Sequence, residues 1–409
     1  MKSQSKKKFP PRIMTGLDVL ETVEFNTLKN SKVGLLINSA SVNRNLVHAI
    51  DVFSRAENFE LTTLFGPQHG IYGTTQANMI EWKSYRDPRL GIPVYSLYGK
   101  NRKPTPEMLK DIDTLVIDLP DVGSRYYTYI WTVKLCMEGC AENGVRVVIL
   151  DRPNPLGGEK LEGPVLKNDC FSFVGMHKIP IRHSMTLGEL ATLINNEEVK
   201  QCHLDVVLMK DWNRKMYFDD TGLFWVLPSP NMPTPATALV YPGFCLLEAT
   251  NISEGRGTCR PFEICGAPFI DPELLCDKME DFDLPGVVFR PMYFKPTFDK
   301  YQGKLCGGFQ MHITDKAQFK PVLTAVYTLF TLRDICGDDF QWNQPPYEYE
   351  YEKMPIDILW GDSTLRKAID SGNIKRGIQE IEEKIAIEIY NFESRWIKSL
   401  LYKPFPESR

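Results

Sequence analysis

"IDTLVIDLPDVGSRYYTYIWTVKLCMEGCAENGVRVVILD", Ile112 to Asp151, holds a strand, a helix and a second strand in one unbroken stretch. The runs IDTLVIDL (112–119) and VRVVILD (145–151) are short, β-branched and apolar, as strands covered on both faces must be. Between them, YTYIWTVKLCMEGCAENG has helical spacing and ends on Gly144, a residue suited to a helix C-cap. A strand, a crossover helix and a parallel strand make a βαβ unit. Upstream the same texture recurs in KVGLLIN (32–38), ELTTLFG (60–66) and IPVYSLY (92–98), separated by LVHAIDVFSRA and TPEMLKDI. The expected fold is therefore α/β, with a Rossmann-like parallel sheet over residues 1–160.

From about residue 160 the loops lengthen and Pro and aromatic residues become more frequent. MTLGELATLIN starts with the Thr186 to Glu189 spacing of a capping box, and the strand LDVVLMK follows it. Beyond Pro285, GVVFRPMYFKPTFDKYQGKLCGGFQMHIT alternates as strands do. FKPVLTAVYTLFTLRDI reads as a strongly amphipathic helix, and the charged tail GNIKRGIQEIEEKIAIEIYNFESRWIKSLLY as a helix with one apolar stripe. Residues 161–409 are read as a smaller α+β domain, its last helix able to pack back on the first.

Composition removes several classes of function. A net charge of -4 gives no bulk reason to bind nucleic acid or an anionic membrane. No run approaches the roughly 20 apolar residues of a membrane span. After the basic start MKSQSKKK, Pro10, Pro11 and Arg12 stand where a leader would be apolar, so the chain as given reads as cytoplasmic, or as periplasmic or secreted if a leader has been removed. The ten cysteines form no CxxC pair and read as reduced thiols. INSASVNRN after the first strand lacks the G-x-G-x-x-G of a dinucleotide site, and no Walker A, G-x-S-x-G or H-E-x-x-H sequence occurs. No cofactor and no metal are expected.

In parallel sheets, function collects beyond the C-terminal strand ends. Four polar clusters are candidates, each with an ordinary structural reading beside it. In LFGPQHGIYG, glycines flanking Pro67, Gln68 and His69 permit an unusual backbone path; a hydrogen-bonded turn would look the same. In DLPDVGSRYYTY, Asp118 and Asp121 with Arg125 could bind sugar hydroxyls or a carboxylate, or could be a helix cap and a surface ion pair. In LDRPNPLGG, Asp151 and Asn154 are either rigidly presented ligands or turn residues. In TNISEGRGTCRPFE, Glu254 and Arg256 are held between glycines. His183 is the best second histidine candidate.

These clusters, with GIPVYSLYG, RKPTPEML, EGPVL, PIRHSMTLGEL, PSPNMPT, ALVYPG and CGGFQMHIT, resemble the NamZ family of exo-acting β-N-acetylmuramidases from about Gly16 to the tail. The resemblance implies an active cleft between the two domains and a glycoside hydrolase that removes N-acetylmuramic acid, or a related N-acetylhexosamine, from the non-reducing ends of peptidoglycan fragments. The competing reading is a non-catalytic sugar-binding homologue. Glycoside cleavage needs an acid at the leaving oxygen. Glu254 is the expected general acid, with Asp121 or Asp118 orienting the acetamido group and Arg125 or Arg256 facing the lactyl carboxylate. Gln68, His69, Gly70, Tyr127, Asp151, Asn154, His183 and Asn231 would line the sugar pocket. Many relatives have Glu where this chain has Gln68, and an amide cannot exchange a proton as a carboxyl does. Glu81 is the nearest substitute by sequence.

Overall fold

The computed structural model describes residues 13–76 and 79–402. Seven strands build the larger sheet: Lys32–Ile37 (β1), Glu60–Gly66 (β2), Tyr85–Arg86 (β3), Pro93–Ser96 (β4), Thr114–Asp118 (β5), Arg146–Leu150 (β6) and Leu204–Val207 (β7). Their order is β3-β4-β2-β1-β5-β6-β7, parallel throughout except where β3 meets β4. Every residue of β5 is buried, with Leu115 and Ile117 in one apolar core and Val116 in the core on the opposite face. The apolar runs of the sequence are those of a sheet covered on both sides.

The helix Tyr129–Asn143 follows β5 and is closed by Gly144 at φ 68°. Thr186 and Glu189 form both halves of the capping box on Leu187–Ile194. The parallel sheet does not stop near residue 160: β7 extends it, pairing with β6 from Val147↔Leu204 to Leu150↔Val207. A short, half-buried edge strand after a long loop gives little sequence signal of which sheet it will join.

The second sheet is antiparallel and consists of Ile264–Ala267 (β8), Val287–Phe294 (β9) and Cys306–Ile313 (β10), in the order β8-β10-β9. The helix Pro321–Cys336 is buried on most of its circumference rather than along one stripe. It lies between the helices Pro235–Phe244 and Ile374–Ser399, so nearly every face meets a neighbour. Its approach to the first of these requires Gly243, where a Cβ would stand 1.9 Å from the Pro321 carbonyl oxygen.

The final helix packs back on the sheet half. Arg395 Nε donates to Glu197 at 2.8 Å, and past the helix end Tyr402 OH donates to Asp151 at 2.8 Å. One apolar core, from Leu36 and Ile117 to Phe309, Phe330 and Phe392, runs through both halves. Among the described residues no helix is long and apolar enough to cross a membrane. All ten cysteines are free thiols, most of them buried.

Candidate functional site

β2 ends at Gly66, and the chain then turns through two successive left-handed residues, His69 at φ 69° and Gly70 at φ 77°. The turn is tied by Gly70 N–H and Trp82 Nε1–H, each donating to the Pro67 carbonyl at 3.0 Å. Gln68 and His69 thereby line a pocket whose wall also includes Tyr127, Thr128, Ser229, Asn231, Arg256, Tyr347 and Glu348. Residues far apart in sequence meet here because the helix Tyr129–Asn143 begins at this pocket and the loops of the second half close over it.

His69 Nδ1 lies 2.6 Å from the Thr75 carbonyl, which can only accept, so Nδ1 carries the hydrogen. Burial, with help from the Arg256 charge, holds the imidazole down to about 4 against the Thr75 hydrogen bond that favours its protonation. The ring is neutral at ordinary pH and its Nε2 is a hydrogen-bond acceptor, fit for a sugar hydroxyl. Asn231 is held by Gln76, whose backbone carbonyl and side-chain amide engage it at 3.1 and 3.2 Å.

Gln68 is 4% exposed and its amide is fixed from both ends. Thr128 Oγ1 donates to Oε1 at 2.6 Å; Nε2 donates to Tyr98 OH at 3.1 Å and to Glu348 Oε1 at 3.3 Å. Tyr98 OH in turn donates to Glu348 Oε2 at 3.0 Å. Burial pushes the Glu348 carboxyl up to about 7; the Tyr98 and Gln68 hydrogen bonds and the Arg102 charge oppose the rise, and the Glu248 charge adds to it.

Around Arg256 the surroundings are ionic. Its Nη2 lies 2.6 Å from Glu248 Oε1 and its Nε 3.2 Å from Glu254 Oε1. Lys300 Nζ lies 2.8 Å from the other oxygen of Glu254, and Tyr347 OH donates to Glu248 at 2.6 Å. Burial would raise Glu248, but the Arg256 charge and these hydrogen bonds outweigh it and hold the carboxyl below the usual range. Arg256 is raised, two carboxylates overcoming its desolvation, so it stays charged on the pocket wall. Flanking glycines at φ 82° and 79° are required: a Cβ on Gly255 would meet the Ile264 oxygen at 2.6 Å, and one on Gly257 the Phe298 oxygen at 2.4 Å.

Of the residues expected in the site, Gln68, His69, Tyr127, Asn231 and Arg256 line this pocket. The others lie elsewhere. Glu254, expected as the general acid, sits behind Arg256, pinned between two cations. Glu81 is exposed, its carboxyl lying over Gly99. Arg125 is fully buried and donates to the carbonyls of Pro164, Ile179, Leu359 and Trp360 at 2.7 to 2.9 Å, which clamps distant loops and leaves no fork for a ligand. Asp118 pairs with Arg152 through both oxygens, at 2.5 and 2.8 Å, and fills the point where the strand order reverses between β1 and β5.

Asp151, pushed up to about 6 by burial against several hydrogen bonds, receives Thr186 Oγ1, Gly188 N–H and Tyr402 OH, and so anchors the start of the helix Leu187–Ile194. Asn154 bonds the Met185 carbonyl and the Leu156 N–H, as a turn residue does. Asp121 receives the Gly123 N–H and lies 3.3 Å from His183 Nε2, beside a separate cavity lined by Arg152 and Trp225. Gly70 shapes the turn and is not among the lining residues.

The sequence reading missed Glu348, Thr128, Ser229 and Tyr347. For Glu348 the available signal was faint: QPPYEYEYEK (344–353) combines two prolines with alternating Tyr and Glu, which reads as a solvated turn.

Comparison with known proteins agrees with this architecture. Residues 33–236 match the family model described as exo-beta-N-acetylmuramidase NamZ, N-terminal, and residues 239–402 match its C-terminal counterpart. The chain is 45% identical over 401 residues to the peptidoglycan beta-N-acetylmuramidase NamZ of Bacillus subtilis (strain 168), covering 98% of this chain and 94% of that one. Two crystal structures of DUF1343 family proteins from Bacteroides fragilis NCTC 9343 share the fold. One has a TM-score of 0.87 at 37% identity, the other 0.73 at 27%, and each comparison covers 96% of this chain and 99% of the other. The chain belongs to the NamZ family of exo-β-N-acetylmuramidases.

Proposed function

We propose that this protein is an exo-acting glycoside hydrolase that releases N-acetylmuramic acid from the non-reducing ends of peptidoglycan fragments, and that the Gln68–His69 pocket is where it does so. The observation that carries the site is the company Arg256 keeps: a buried, permanently charged guanidinium shares one pocket wall with neutral hydrogen-bonding groups and a carboxyl. The lactyl carboxylate distinguishes muramic acid from other N-acetylhexosamines, and a guanidinium is its natural partner. His69 Nε2 and Ser229 would meet ring hydroxyls.

Among the described residues, Glu348 supplies the one carboxyl in the pocket lining. Two-carboxylate schemes need a second acid facing the first. A 2-acetamido sugar removes that need, because its own carbonyl oxygen can attack the anomeric carbon. The ten free thiols support work in a reducing compartment.

The test is release of free N-acetylmuramic acid from a β-linked muramyl disaccharide between about pH 4 and 8, compared with the matching N-acetylglucosaminide that lacks the lactyl ether. Cleavage selective for the muramide supports the reading. Tight binding without turnover would instead identify a sugar-binding homologue, and equal cleavage of both would remove Arg256 as the specificity element.

A further inference from the structure

The pocket wall holds several groups able to bind a sugar but few able to give it a proton. His69 is neutral with its hydrogen committed to Thr75, and Arg256 holds its protons too tightly to donate. Glu248 and Glu254 are tied to Arg256, and Asp121 lies beside another cavity. Glu348 differs in its surroundings. Gln68 and Tyr98, the hydrogen-bonding side chains on its two oxygens, are both uncharged. Its backbone is equally constrained, since Glu348 and Tyr349 are left-handed at φ 47° and 63°.

Resting on the muramidase reading above, we propose that Glu348 is the proton donor to the leaving-group oxygen, and that Gln68 is a positioning residue that fixes this carboxyl without competing for its proton. A second carboxyl 3.3 Å away would share the proton. An amide cannot take it, so the proton passes only to what occupies the pocket. Thr128, at the start of the helix Tyr129–Asn143, turns the amide so that its NH2 faces Glu348.

In the first step the Glu348 O–H bond breaks and its proton goes to the glycosidic oxygen. The C1–O bond breaks with its electron pair leaving on that oxygen, and the acetamido carbonyl oxygen bonds to C1. In the second step water adds to C1, the carbonyl oxygen departs, and the Glu348 carboxylate takes the water proton. Arg102, Glu248, Tyr98, Tyr347 and Tyr349 are the charged and titratable groups around the carboxyl. Activity should therefore fall as pH rises through about 7.

The experiment compares wild type and Glu348→Gln on two β-N-acetylmuramides, one with a sugar leaving group and one with 4-nitrophenolate, which departs without a proton. Expected for the variant are a loss of about 10²- to 10⁴-fold on the disaccharide, a much smaller loss on the aryl glycoside, and disappearance of the basic limb of the kcat/KM profile. Equal losses on both substrates with the limb unmoved, or near wild-type cleavage of the disaccharide, would overturn the proposal. Should the variant fold poorly, Tyr98→Phe serves instead: removing one donor to the carboxylate should move the basic limb to higher pH, and an unmoved limb counts against Glu348. Wild-type protein inactive on both glycosides would overturn the muramidase reading itself, a result distinct from failure of the Glu348 assignment.

Discussion

Glu348 and Glu254 are both buried acids in the second half of the chain, 3% and 2% exposed, yet their neighbours set them to opposite tasks. Glu254 stands between Arg256 and Lys300; Glu348 is held by a tyrosine and an amide. A cation beside a buried carboxylate balances its charge and makes it a structural acceptor, whereas neutral donors leave burial in command and the acid keeps its proton. The difference teaches that an acid flanked by glycines and paired directly with an arginine is a weaker catalytic candidate than an acid whose hydrogen-bond partners are neutral.

The largest effect is expected from removing the cation that organises the ionic cluster. Arg256→Met leaves Glu248 and Glu254 without their shared partner and should lower unfolding stability by about 3 to 5 kcal/mol, measured by denaturant titration, and should raise KM for muramides. Unchanged stability would mean that Lys300 and Tyr347 suffice to hold both acids.

Next comes the pH dependence of Glu348. Its folded value of about 7 lies above the ordinary 4.5, so the native state holds the extra proton. The associated stability is fully present below the unfolded pKa and is lost as pH rises through the folded one, roughly 3 kcal/mol in all. Glu348→Gln should therefore gain on wild type in denaturation midpoints as pH goes from 4.5 to 7; parallel curves would place the carboxylate in a far more polar setting.

Lys300→Met removes the outer cation of Glu254 and should cost about 1 to 3 kcal/mol while leaving the basic limb of the pH profile in place. A moved limb would tie the two clusters together electrostatically. The smallest effect belongs to His69→Gln, which should raise KM modestly with no change in the shape of the pH profile above about 5, because the imidazole is already neutral there.

The α/β architecture was legible because strand and helix periods are local. ELTTLFG occupies β2 residue for residue, and Gly144 caps its helix as its position suggests. The candidate pocket was legible where a turn itself carries the lining side chains, as at Gln68, His69 and Arg256. Arg125 and Asp118 looked equally eligible, because a sequence does not tell whether an arginine fork will meet a ligand or four carbonyls drawn from residues 164 to 360. Glu348 was hidden for the complementary reason. Its character comes from Gln68 and Tyr98, whose nearness is a product of the tertiary fold, while its own segment reads as a polar turn.

The most direct measurement is the structure of the protein bound to N-acetylmuramic acid. The account predicts the lactyl carboxylate on Arg256 and the anomeric oxygen within about 3 Å of the Glu348 carboxyl. A sugar seated instead in the cavity beside Asp121 and Arg152, with Glu348 out of reach, would contradict it.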